Sequence, residues 1–134
     1  MSPAVSATPL ARKLGIAAGA SVALVGAPAG FDVPGLPDGA RLQRGRRAVA
    51  RADVVLAFTR SLSELPGAGA LAADLAPKAA LWVLWPRKAA GHVSDLTDEA
   101  VREALLTTGL VDVKVAAVGG DWSGLRFVHR RTPR

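Results

Sequence analysis

The sequence predicts a three-layer α/β domain built on a mostly parallel sheet that closes in a C-terminal antiparallel hairpin. Three observations predict it. Short apolar runs, Val22–Val25, Val54–Phe58 and Ala80–Trp85, are hydrophobic at nearly every position, as strands covered on both faces must be. Helical patterns separate the later runs, which implies crossover connections. Finally, residues 111–118 and 125–130 are two strand-like segments joined by a Gly-, Asp- and Ser-rich turn.

Each element has its own signals. Thr8 caps a short helix, Pro9 suits its first position, and Gly15 suits its exit. Leu10 and Leu14 share a face of that helix. Ser21–Val25 is the first strand, and 26–39, rich in Gly and Pro, is a loop. Residues 40–44 form a weak edge strand, and 53–58 a buried one. Residues 62–75 have a helical pattern carried by Leu62, Leu65, Leu71 and Leu75, weakened by Pro66 and Gly67 and ended by Pro77. The strand Ala80–Trp85 stops at Pro86. In the next helix Thr97 is the cap, Asp98 and Glu99 complement the dipole, and Leu96 with Val101 forms a hydrophobic staple. Its stripe is Val101, Ala104, Leu105 and Thr108, and Gly109 ends it. Residues 119–124 read as the hairpin loop. Residues 1–7 are expected to be a disordered leader, 8–131 one domain and 132–134 a basic tail.

Composition removes several functions. With no Cys, disulfides, zinc–thiolate sites and thiol nucleophiles are excluded, and two His argue against a multi-histidine metal site. Near the N-terminus, Gly15, Gly19, Gly26 and Pro28 interrupt the apolar run, so it reads as a strand rather than a signal segment. A cytoplasmic location is expected. The net charge of +6 is uneven: residues 41–51 and 126–134 hold nine of the 17 basic residues and no acid. Arg44, Arg46, Arg47, Arg130 and Arg131 are therefore candidates for contact with nucleic acid or another anion, against a plainer reading as solvated charge.

The segments TPLARKLGI, VALVGAPAGF, ADVVLAF, ALWVLWPRK, DLTDEAVREALLTTGLVDVKV and WSGLRFVHRR, spanning about 8–131, resemble a bacterial family of short proteins with a domain of unknown function. More widely, the order of Asp53, Pro86 and the 111–130 hairpin resembles class I methyltransferases that use S-adenosylmethionine, which implies a Rossmann-like fold. That resemblance stops at the cofactor half. Such enzymes carry a G-x-G-like turn after the first strand and an acid after the second. Here the turn is Gly26-Ala27-Pro28-Ala29-Gly30, and 41–51 contains no acid. The helix between the first two strands is also missing. The resemblance implies a shortened fold that has lost its cofactor.

In open parallel sheets ligands bind beyond the carboxyl ends of the strands. That rule gathers Arg60, Trp85, Lys88, Asp121, Trp122 and Ser123 into one candidate site for a planar or anionic ligand. Trp82 and Trp85, three apart on a strand, point to opposite faces and suit the core. Asp121 and Ser123 are also ordinary turn formers. No catalytic constellation emerges. Ser123, His129 and Asp121 lack the spacing of a triad, His92 with Asp95 is too small a set for a metal, and no phosphate-binding Gly-Lys-Ser/Thr motif is present. The expectation is a non-catalytic domain that binds a small ligand or a protein without a cofactor, a metal or a membrane. The alternatives are a minimal S-adenosylmethionine-dependent enzyme, or nucleic-acid or anion binding through the two Arg segments.

Overall fold

A computed structural model describes residues 9–88 and 91–130. Its centre is a six-stranded sheet in the order β2-β1-β3-β4-β6-β5. The strands are β1 (Ser21–Val25), β2 (Arg41–Arg44), β3 (Val54–Phe58), β4 (Ala80–Pro86), β5 (Leu110–Val118) and β6 (Trp122–His129). The pairs β1–β2, β1–β3 and β3–β4 are parallel, whereas β6 runs antiparallel to both β4 and β5. The mixed α/β, mostly parallel architecture with an antiparallel C-terminal hairpin is the predicted one.

A core lies on each face of the sheet. One joins Ala23, Val55, Leu81, Val83 and Trp85 to α2 (Leu65–Ala70) and α3 (Asp98–Leu106) through Leu65, Val101 and Leu105. The other joins Val22, Leu24, Leu56, Trp82 and Leu84 to Leu14, just beyond α1 (Leu10–Lys13), and to Val33 of the long loop. The strand period of two assigns neighbours to opposite cores, so Trp82 and Trp85 are both buried but on different sides. Trp82 is fully buried, and its indole N–H donates to Leu14 O at 3.1 Å, which satisfies the group that burial would otherwise penalise.

The helix signals behave as their chemistry dictates. Thr97 Oγ1 accepts from Ala100 N at 3.1 Å, and Leu96 and Val101 are both fully buried. Arg102 Nε donates to Asp112 at 2.9 Å and ties α3 to the edge strand β5. That hydrogen bond, with the charge of Asp112, raises the guanidinium pKa further. On the opposite face Lys13 Nζ donates to Ala117 O at 3.0 Å and Lys114 Nζ to Lys13 O at 3.1 Å, which clamps α1 onto the hairpin.

Several expectations are corrected. The pattern over 62–75 is three short pieces: a 3-10 turn Leu62–Glu64, then α2, then a 3-10 turn Leu71–Asp74. Pro66 opens the α segment instead of weakening it, because an N-terminal position needs no N–H donor. Residues Arg46–Arg51 form a 3-10 helix that the sequence did not signal, with Val49 its only buried residue. The hairpin loop contracts to residues 119–121. Trp122, Ser123 and Gly124 are strand residues that pair with Pro86, Trp85 and Leu84 of β4. Thr8, the leader 1–7, Arg131 and the tail 132–134 lie outside the described residues.

Candidate functional site

The carboxyl ends of β1, β3 and β4 converge with the hairpin turn, which is pinned there because Arg87 N donates to Asp121 O at 2.8 Å. Thr59 is held beside β4, its backbone N and Oγ1 both donating to Leu84 O at 2.8 Å. The chain moves from β1 outward to β2 and then crosses to β3 on the other side of β1. The topological switch point, where ligands enter such sheets, is therefore the gap between β1 and β3.

This protein spans that gap with its own side chains. Arg60 Nη2, just past β3, donates to Gly26 O, just past β1, at 3.0 Å. Gly26 has φ +73°, and a Cβ there would lie 3.1 Å from Phe58 O, so only glycine fits at low cost. Beside this bridge Phe58 stacks edge-to-face with Phe31 at 4.8 Å and with Trp122 at 4.9 Å. The Arg60 guanidinium lies 5.6 Å from the Trp122 ring centre. Each aromatic pair contributes about 0.5–1.5 kcal/mol beyond its buried area. Arg44 Nη2 donates to Pro28 O at 3.3 Å and to Phe31 O at 3.4 Å, which folds the loop back over the end of the sheet. Beneath the bridge, between β1, β3 and α2, is a cavity of about 240 Å³ bordered by Val25, Arg46, Thr59 and Glu64. It falls below the usual range of ligand pockets, about 300–1,000 Å³.

A larger open groove, about 540 Å³, lies on the α3 face of the sheet. Trp85, Leu96 and Val115 form its apolar wall, with Ser123 alongside. Arg87 and Lys88 stand on its rim, and Asp98 lies at the start of α3. Val115 is 61% exposed, unusual for a valine in mid-strand.

The six residues predicted as one ligand site therefore divide. Trp85, Lys88 and Ser123 line the groove. Arg60 and Trp122 stack together on the opposite face. Asp121 stays in the exposed turn, its Oδ1 3.0 Å from His92 Nε2. The cause is strand alternation: Ser123 is opposite Trp85 and Trp122 opposite Pro86, so the two indoles face opposite ways. Sequence reasoning brings the 26–31 loop to this end of the sheet but does not name Gly26, Phe31 or Phe58 as site residues. Phe58 was legible as the last apolar residue of β3 on the Leu56 face, but nothing local joins Phe31 to it.

The Arg segments also separate. Arg44, Arg46 and Arg47 lie at the end of β2, where Arg46 faces Asp74 at 3.9 Å. Arg130 follows β6, and β1, β3 and β4 stand between, so about 19 Å of sheet width divides the two segments. Among the described residues no group of three or more His, Cys, Asp or Glu is placed to hold a metal ion. Asp95 accepts from Leu62 N instead of joining His92. Ser123 and His129 sit near opposite ends of β6, about 20 Å apart, and His129 Nε2 lies 2.8 Å from Leu75 O, so no triad forms. No helix among the described residues is long and apolar enough to cross a membrane.

A family model for proteins of unknown function, DUF3052, matches residues 50–131. The chain belongs to the DUF3052 family. No curated protein matches it in sequence. Among solved structures it is similar to a SAM-dependent methyltransferase from Aquifex aeolicus, with TM-score 0.56 and 14% identity over 87% of this chain and 85% of that one. It is also similar to fibrillarin from Aeropyrum pernix bound to S-adenosyl-L-methionine, with TM-score 0.58 and 14% identity over 89% and 73%. A third is the ribosomal protein L11 methylase from Lactobacillus delbrueckii subsp. bulgaricus, with TM-score 0.55 and 14% identity over 91% and 75%. At these identities the likeness is one of fold: this DUF3052 chain has a methyltransferase-like, Rossmann-like architecture.

The residues at the switch point do not fit that cofactor. S-adenosylmethionine carries a sulfonium, an ammonium and a carboxylate, and its ribose hydroxyls call for a carboxylate acceptor. The crevice presents the Arg60 guanidinium across its mouth and, after β2, the run Arg44-Gly45-Arg46-Arg47 with no carboxylate. The Glu64 carboxylate accepts from the Arg60 backbone N at 2.9 Å.

Proposed function

We propose that this DUF3052 chain is a non-catalytic binding domain on a methyltransferase-like scaffold. Its ligand is a small molecule with a planar apolar body and an anionic group, seated in the groove between α3 and the hairpin. One observation carries the reading: the Arg60–Gly26 bridge spans the switch point, while a groove more than twice the size of the cavity beneath it opens on the other side of the sheet. The groove's chemistry sets the ligand class. Trp85, Leu96 and Val115 offer an apolar wall to a ring, and Arg87 and Lys88 offer cations to an acid group. Neither cation pairs with a carboxylate among the described residues. Asp98 on the facing rim repels an anion there and so orients it toward Arg87 and Lys88.

Anilinonaphthalene sulfonate, a planar aromatic anion, is a suitable probe. Saturable fluorescence enhancement at one site is expected, weakened about tenfold in R87E/K88E and abolished in Val115→Asp, with Arg60→Ala unaffected. Equal binding by wild type and both groove variants contradicts the assignment.

A further inference from the structure

A second surface lies at the opposite edge of the sheet from the hairpin. There Gln43, Arg44, Arg47 and Arg51 border one open depression of about 530 Å³, formed by the edge strand β2 and the 3-10 helix that follows it. All four are exposed. The side chains of Arg47 and Arg51 make no hydrogen bond or ion pair with other described residues, although the adjacent Arg46 reaches Asp74 and Arg44 folds onto the loop. No acid occurs from 41 to 51. The end of β2 and the tight helix after it together present three guanidinium groups and one side-chain amide.

We infer that this edge binds the phosphate backbone of double-stranded nucleic acid. Guanidinium is the side chain whose planar fork matches phosphate oxygens, and every cation on the surface is an arginine. The surface has no aromatic ring on which an unpaired base could stack; the nearby Phe31 is packed against Phe58. Nor does it carry a large exposed apolar side chain for a bilayer, since its one apolar residue, Ala48, is half-buried. Cations without stacking or apolar partners read charge and not sequence. The proposal does not depend on the groove, which β1, β3 and β4 separate from this edge.

The test is a salt series with short DNA and RNA duplexes of arbitrary sequence and, in parallel, phosphatidylserine vesicles. Three phosphate contacts give a slope of log K against log salt near −2.7, about a 40-fold loss between 50 and 200 mM. In R47E/R51E the slope falls by about two and low-salt affinity drops more than tenfold, while the thermal midpoint is unchanged because neither side chain holds the fold. Arg130→Glu, across the sheet, leaves binding as in wild type. The DNA and RNA arms distinguish the two sources of the backbone. Absence of duplex binding at low salt, a slope that R47E/R51E leaves unaltered, an equal loss in Arg130→Glu, or tighter binding to vesicles than to either duplex overturns the proposal.

Discussion

Strands β1 and β2 are joined by residues 26–40, which contain no helix or strand, whereas β4 and β5 are joined through α3, a capped helix with two fully buried side chains. The first connection turns on glycines at positive φ, Gly26, Gly30, Gly35 and Gly39, and is held to the sheet by Arg44, Phe31 and Val33. The second is held by a continuous apolar face and the Arg102–Asp112 pair. The difference teaches where each job sits. The helical connection supplies stability and, at its N-terminal end, one wall of an open groove. The loop connection supplies cover for a crevice that the fold would otherwise leave open.

Substitutions can break or sharpen that contrast. Leu105→Ala, in the fully buried face of α3, should cost about 2–5 kcal/mol in a denaturant melt. Gly124→Ala should cost about 1–3 kcal/mol, because the new Cβ would stand 2.6 Å from Leu84 Cδ2 and 3.0 Å from Trp82 Cε3. Thr97→Ala removes the α3 cap and should cost about 1 kcal/mol by the same melt. The smallest effect belongs to the loop side. Arg60→Ala loses an exposed hydrogen bond and a cation–π contact, about 0.5–1 kcal/mol. A loss in Arg60→Ala equal to that in Leu105→Ala would mean that the bridge supports the fold and does not merely cover the crevice.

The sheet and α3 were legible because their signals are local. Apolar runs mark β1, β3 and β4, and Thr97, Leu96 and Val101 mark the helix start. The site was less legible because it depends on register. Gly124 resembles a turn residue, yet it pairs within β6, where Leu84 and Trp82 leave no space for a side chain. Once it joins the strand, Ser123 is fixed opposite Trp85, and Trp122 must face the other way. The aromatic chain Phe31–Phe58–Trp122 draws on three separate segments, and no pattern within any one of them announces the others. The 3-10 helix Arg46–Arg51 escaped notice for a related reason: a single buried residue, Val49, makes no periodic signal.

The closed crevice can be tested at the residues that close it, by following backbone amide resonances of the intact protein while S-adenosylmethionine is added to millimolar concentration. The bridge predicts no saturable shift at Gly26, Phe31, Thr59 or Arg60. Saturable shifts confined to those amides, with micromolar affinity, would show an open cofactor site and contradict the account.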